Sequence, residues 1–252
     1  MRRFSERRSA CQTDTQYVVQ LSGYSWVLQQ LPAGRLQILD AACGTGFGTY
    51  ALAHRADAAV GVDIAPEAIA EARARYRAPG LYYVVMDVAK LAFRNATFDA
   101  VISQDTIEHV PDDAGFVAEA ARVLRPGGTF VVFTPYREVH TSTPENPYHL
   151  REYSPDSLRS LLQPHFSMVC FFGRRPAPAL RRVEDTLDKV RRYDPLRLRT
   201  LVPRSVRHRL GNLWLLRSGA KLLDQVSVND VEYVADAPPG STSLISVCRL
   251  SG

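Results

Sequence analysis

Asp40-Ala41-Ala42-Cys43-Gly44-Thr45-Gly46-Phe47-Gly48 decides how this chain is read. The apolar run Leu36–Asp40 has the length of a buried strand, and Phe47–Arg55 has the composition of a helix. Glycines at a strand-to-helix turn let the backbone fold tightly and approach a ligand, while the helix N-terminus presents free N–H groups to it. The dinucleotide fingerprint G-x-G-x-x-G is not met, because Gly48 arrives one residue early and Thr49 stands in the sixth place. The acidic residue precedes the glycines, at Asp40, where a carboxylate suits a cationic amino-acid group better than a pyrophosphate. Asp63, 19 residues beyond Gly44, ends a second strand and is placed to take both hydroxyls of a ribose. Asp87-Val88, after a third strand, suits an adenine amino group and the face of its ring.

Outward from this loop, strand-like and helix-like segments alternate. Ala58–Asp63, Tyr82–Met86, Phe98–Ser103 and Thr129–Thr134 read as strands. Pro66–Tyr76, opened by Pro66 at its first position, and a segment from about Asp112 to Leu124 read as helices. Asp112 and Asp113 suit the N-terminal end of the latter, and Arg125-Pro126-Gly127-Gly128 stops it. Single helices between strands imply βαβ crossovers, and hence an α/β, Rossmann-like, doubly wound and mostly parallel sheet. Farther on, Ser154–Leu162 reads as a helix capped by Ser154 with Pro155 in its first position. Phe166–Phe172 and Ser243–Leu250 read as further strands, which makes the sheet seven-stranded. The expected organisation is one domain over 1–252: a helical cap at 1–35, a core at 36–173, a helical insertion at 174–236 and a closing strand at 237–252. Within the insertion Leu180, Val183, Leu187 and Val190 keep helical spacing.

A length of 252 residues fits one full-sized domain. No apolar run approaches the roughly 18–20 residues of a membrane span. Met1–Arg8 is charged but lacks a following apolar stretch, so it does not read as a signal peptide. The four cysteines, Cys11, Cys43, Cys170 and Cys248, form no C-x-x-C pair. That spacing argues against a disulfide scaffold or a cysteine-built zinc site and points to the cytoplasm. Only three of the 31 basic residues are lysines, so 28 are arginines, and twelve of these fall within Arg174–Arg217. A codon bias explains their number; a surface for an anionic partner explains their clustering better. The net charge of +5 decides between neither.

Asp40, the Gly44/Gly46 pair, Asp63 and Asp87, with the turn Ala121–Gly128, resemble the stations of class I S-adenosylmethionine-dependent methyltransferases over about Leu36–Pro135. Ala42 stands where many members carry glycine. The resemblance implies S-adenosyl-L-methionine as cofactor. Its binding residues would be Asp40, Ala42, Gly44, Gly46, Phe47, Asp63, Ile64, Asp87, Val88 and Gln104.

After the fourth strand the chain runs Ser103-Gln104-Asp105-Thr106-Ile107-Glu108-His109-Val110. This segment lies at the carboxyl end of a strand, where doubly wound sheets bind ligands. Asp105 and Glu108 are three apart, so on a helical turn they share a face with His109 beside them. Two carboxylates and an imidazole are a ligand set for a divalent cation. His149, in Asn146-Pro147-Tyr148-His149-Leu150-Arg151-Glu152-Tyr153-Ser154, sits on the loop that must cross the same end of the sheet. The two fragments resemble a methyltransferase subgroup with E-x-x-E-H and a downstream histidine before an acidic-aromatic-Ser/Thr run. That subgroup includes metal-dependent small-RNA 3′-terminal 2′-O-methyltransferases; the catechol O-methyltransferases of ubiquinone synthesis share the first fragment. Asp105 replaces the first glutamate and is one methylene shorter. The resemblance implies a divalent cation, magnesium or manganese, on Asp105, Glu108, His109 and His149. Two imidazoles favour manganese or another transition ion. His109, His149 and Asp105 are the catalytic candidates, since in metal-free members a histidine here packs or acts as a base. A cation holding two neighbouring oxygens lowers the pKa of the attacking hydroxyl and fixes its in-line approach. The expected acceptor therefore has vicinal oxygens: a sugar diol, a catechol or a terminal ribose.

Tyr136, His140 and Glu145 lie on the same long loop and are secondary candidates for the acceptor pocket. His54, His165 and His208 have no constellation around them, and Trp214 sits among leucines as a core residue would. The run Arg197–Arg204 and the Asn-Pro-Tyr-His sequence resemble bacterial methyltransferases of cell-surface glycans. The leading expectation is O-methylation of a sugar or oligosaccharide, such as a methylmannose- or methylglucose-type polysaccharide precursor. Three alternatives stand beside it: a phenol, catechol or polyketide acceptor with His109 as base, an RNA ribose, and a catalytically silent binding protein. Nucleic acid is disfavoured because no separate RNA-binding module is present and the aromatics are not interleaved with the basic run. Nothing in the sequence decides the oligomeric state, a homodimer included.

Overall fold

The computed structural model describes residues 15–144, 146–178, 180–181 and 227–252. Helix α1 (Thr15–Gln30) leads into β1 (Leu36–Ala41), α2 (Phe47–Ala53), β2 (Ala56–Asp63), α3 (Pro66–Arg75), β3 (Leu81–Val85) and β4 (Phe98–Gln104). A single 3-10 turn (Ile107–His109) then precedes α4 (Asp113–Val123) and β5 (Leu124–Pro135). After a long loop come α5 (Pro155–Leu162), β6 (Met168–Pro176), β7 (Val231–Ala235) and β8 (Ser243–Arg249). The sheet order is β3-β2-β1-β4-β5-β8-β6-β7. The first five strands pair in parallel, and β8, β6 and β7 extend the sheet antiparallel. The order reverses between β1 and β4, which opens a crevice at the carboxyl ends of those two strands.

Burial on both faces explains the near-continuous apolar runs of the central strands. Along β5, Phe130 and Val132 pack with Phe116, Val117 and Ala120 of α4 and Leu158 of α5. The alternate residues Val131 and Phe133 pack with Tyr24 and Val27 of α1, with Leu31 just beyond it, and with Leu52 of α2. The expected helix starts hold: Pro66 occupies the first turn of α3, the Asp112 side chain accepts from Gly115 N at 2.9 Å, and Ser154 forms a capping box with Ser157.

The sheet has eight strands rather than seven. Val231–Ala235 lies inside the stretch assigned to a helical insertion, yet pairs with β6 from Phe172 to Pro176. Five residues carry too little periodicity to separate a strand from a loop, and the hydrogen bonds of an existing edge decide the matter. Gly173-Arg174-Arg175 does not read as a strand either, but β8 on one side and β7 on the other hold it in the sheet. Both ends of 174–236 therefore belong to the sheet. Residues 182–226, with the helical spacing through Val190, most of the arginine cluster, His208 and Trp214, lie outside the described residues, as do Cys11 and Glu145. Among the described residues Cys43, Cys170 and Cys248 are free, and no helix is long and apolar enough to cross a membrane.

Candidate active site

The loop after β1 is bent by three left-handed residues, Ala42 (φ 66°), Gly44 (φ 55°) and Gly46 (φ 85°). Alanine at such a φ carries strain that glycine would not. Asp63, at the end of β2, is held by two backbone amides, Gly44 N at 3.0 Å and Ala65 N at 2.9 Å. Ile64 beside it is an apolar side chain left 63% exposed. Asp87 accepts from Ala89 N at 2.9 Å, whereas the Val88 side chain is buried among Leu91, Val117 and other core residues. Phe47 is flanked by the rings of Tyr17 and Tyr24, with centroids 5.1 and 5.9 Å away.

Asp40 is wholly buried and accepts from Thr49 Oγ1 at 2.6 Å and from Tyr24 OH at 3.2 Å. Burial pushes its carboxyl up to about 7, with Asp63 adding to the rise and the two hydrogen bonds only partly opposing it. Gln104, the last residue of β4, donates to Gln20 O at 3.3 Å, while its buried Oε1 has no hydrogen-bond partner.

At the other side of the crevice, Glu108, His109 and His149 each offer a ligand atom, all within 4.8 Å of one another. Ligands sharing one ion at roughly 2.0–2.2 Å would sit slightly closer. The loop carrying His149 is stitched to the 3-10 turn: Leu150 N donates to Glu108 O, and His109 Nδ1 donates to Tyr148 O, both at 2.8 Å. Arg151 adds hydrogen bonds to Val110 O and Pro111 O. His149 Nδ1 lies 2.7 Å from Glu152 Oε1, and Arg137 pairs with the other oxygen of Glu152. Burial raises the Glu152 carboxyl, but the hydrogen bonds from His149 and Arg137 outweigh it and hold it below its ordinary value. Both imidazoles thus spend their Nδ1–H on an acceptor, which leaves each Nε2 as a lone-pair donor. The Nε2 of His149 faces the Asn146 amide at 2.8 Å, the position an ion would take. Glu108 is buried and accepts from Thr134 Oγ1 at 3.0 Å. A carboxylate and two pre-oriented imidazoles fit a divalent transition ion.

Asp105 is not brought to this group. Its φ of 51° and its place before the 3-10 turn remove the helical spacing that would have set it beside Glu108, and its carboxylate faces Arg174 at 4.0 Å instead. Tyr136 and His140 lie near Tyr153, the first through a β-bridge and the second by ring contact at 5.7 Å. Sequence reasoning missed Tyr24, Glu152 and Arg174. Only Glu152 had a usable signal, its spacing of three from His149.

Residues 39–132 match the family model of a methyltransferase domain. A "probable S-adenosylmethionine-dependent methyltransferase" of Mycolicibacterium smegmatis is 40% identical over 134 residues, 52% of this chain and 51% of that one. A ubiquinone biosynthesis O-methyltransferase of Xylella fastidiosa is 34% identical over 112 residues, 43% of this chain and 46% of the other. The chain spans about half the length of the curated relatives it matches. The S-adenosyl-L-methionine complex of phosphoethanolamine N-methyltransferase 2 from Haemonchus contortus superposes with a TM-score of 0.60 at 15% identity, over 96% of this chain and 58% of that one. At that identity the likeness concerns the fold.

Proposed function

We propose that this chain, whose fold is that of S-adenosylmethionine-dependent methyltransferases, transfers a methyl group to a hydroxyl of a sugar or oligosaccharide with the help of a divalent cation. The observation that carries the reading is the convergence of Glu108, His109 and His149 with both imidazoles oriented through Nδ1. The name of the Xylella relative supports an oxygen acceptor. In this reading Asp63 takes the ribose hydroxyls of the cofactor, Asp87 the adenine amino group, and Ile64 covers the ring. Asp40 lies under the amino-acid end and braces the glycine loop through Thr49 and Tyr24. Glu108, His109 and His149 hold the cation, Glu152 and Tyr148 O orient the imidazoles through Nδ1, and the Asn146 amide gives way to the cation at His149 Nε2. When bound, the cation would chelate neighbouring substrate oxygens and make the attacking hydroxyl more acidic.

A second reading rests on the His149–Glu152 contact. A histidine whose Nδ1–H is fixed by a carboxylate is arranged as a general base, and no cation is then needed. It favours His149 over His109 as base and extends the acceptor to phenols. One assay separates the two: transfer of labelled methyl from S-adenosylmethionine to glucose, mannose and catechol, before and after EDTA. The metal reading expects loss of at least nine-tenths of turnover and recovery with manganese. Turnover indifferent to EDTA but lost in His149→Ala would leave the base reading standing.

A further inference from the structure

Arg174 is a charged side chain without a structural reason to be where it is. It sits on β6, in register with Tyr233 on one side and Ser243 on the other, and is 6% exposed. Its Nε and Nη1 are buried and have no hydrogen-bond partner. Its ion pair among the described residues is with Asp105, at 4.0 Å from Nη2, beyond hydrogen-bonding range. The guanidinium lies 5.9 Å from the centre of the Phe133 ring. Buried guanidinium donors are ordinarily satisfied, and a charge left without partners in an apolar setting is costly to the fold. Such a group persists where a ligand completes it.

The register places Arg174 at the ligand end of the sheet. Pro135, the last residue of β5, pairs with Ser243, and Ser243 pairs with Arg174. Asp105, which follows β4 at the same end of the sheet, has a side chain 30% exposed. The carboxylates assigned to the cofactor's nucleoside, Asp63 at the end of β2 and Asp87 after β3, lie on the far side of β1. We infer that Arg174 binds an oxyanion, a carboxylate or phosphate, carried by the methyl acceptor. This rests on the methyltransferase reading and narrows its acceptor to an acidic one, such as a uronate or a phosphosugar. The planar fork of arginine, with donors on two edges, matches such groups better than a lysine would. The anion has to approach on the Nε and Nη1 sides, since Asp105 repels it at Nη2.

The test is calorimetric titration of the full-length protein loaded with S-adenosylhomocysteine, using glucuronate against glucose, mannose 6-phosphate against mannose, and inorganic phosphate alone. The anionic member of at least one pair is expected to bind at least tenfold tighter than its neutral partner. Arg174→Met should erase that preference, Arg174→Lys should keep part of it, and both should bind S-adenosylhomocysteine within twofold of the wild type. Because it removes an unsatisfied charge, Arg174→Met should melt no lower than the wild type. Equal binding of charged and neutral members, a preference that survives Arg174→Met, a lowered melting temperature, or a tenfold loss of S-adenosylhomocysteine affinity would each overturn the inference, the last by assigning Arg174 to the cofactor's own carboxylate. Failure of the methyltransferase reading appears separately, as wild-type protein that binds no S-adenosylhomocysteine. The phosphate titration is therefore repeated without it.

Discussion

Asp40 is where a single residue's chemistry is most exposed to measurement. Its folded carboxyl keeps a proton up to about 7, whereas in the unfolded chain it ionises near 4. Between those values the folded state binds more protons, so the stability this group contributes is full below about pH 4 and is lost as pH rises through 7. Urea unfolding at pH 5 and pH 8 should show the wild type losing about 2–3 kcal/mol relative to Asp40→Asn over that interval. Equal pH dependence in the two proteins would mean that the carboxyl is not protonated in the fold. Glu152 offers a second residue-level test. Glu152→Gln leaves an acceptor for the His149 Nδ1–H but removes the charge, and the cation affinity read by manganese titration should fall roughly 10- to 100-fold. Asp40 was legible as a candidate because strand, loop and helix announce themselves locally. Glu152 carried only its spacing from His149 and its place in an acidic-aromatic-Ser run as a signal, and its role depends on what His149 becomes once the loop has folded over Glu108.

At the scale of elements, the early third glycine finds its reason in helix α1. A Cβ added to Gly48 would lie 2.0 Å from the Tyr24 ring, so the glycine seats a neighbouring helix rather than a phosphate. Through that seat Tyr24 reaches Asp40, and α1 becomes part of the glycine loop's support. Gly48→Ala is expected to cost about 1–3 kcal/mol by overpacking. In a Tyr24→Ala background the same substitution should cost far less, and the coupling is read from a double-mutant cycle in denaturant. Additive effects would mean that α1 does not press on α2 there. The seven strands expected from the sequence were found because each is an apolar run between turn residues. β7 escaped because an edge strand of five residues is defined by its partner's hydrogen bonds, not by its own pattern.

For the whole molecule, the sheet order matters more than any one element. β1 and β4 diverge at the switch point, and the glycine loop follows the first while the Glu108–His109 turn follows the second. A ligand bound across the crevice between the two strands stabilises the folded state by mass action, roughly 2.7 kcal/mol at a hundredfold excess over Kd. For a domain of this size that corresponds to a rise in Tm of about 5–10 °C, measured by scanning calorimetry with S-adenosylhomocysteine. No rise at saturating concentration would argue against a cofactor site in this crevice.

The sequence by itself determined the doubly wound core, the glycine loop and its carboxylates, and the nearness of Glu108 to His109, because hydrophobic period, turn residues and short spacings are local properties. It also marked His149, through the loop that had to return over the sheet. Only the tertiary structure decided which of these meet. It turned Asp105 away toward Arg174, drew Glu152 and Asn146 onto His149, and buried Nε and Nη1 of Arg174 with no hydrogen-bond partner among the described residues. Those outcomes depend on strand register and loop docking across dozens of residues, and no local pattern encodes them.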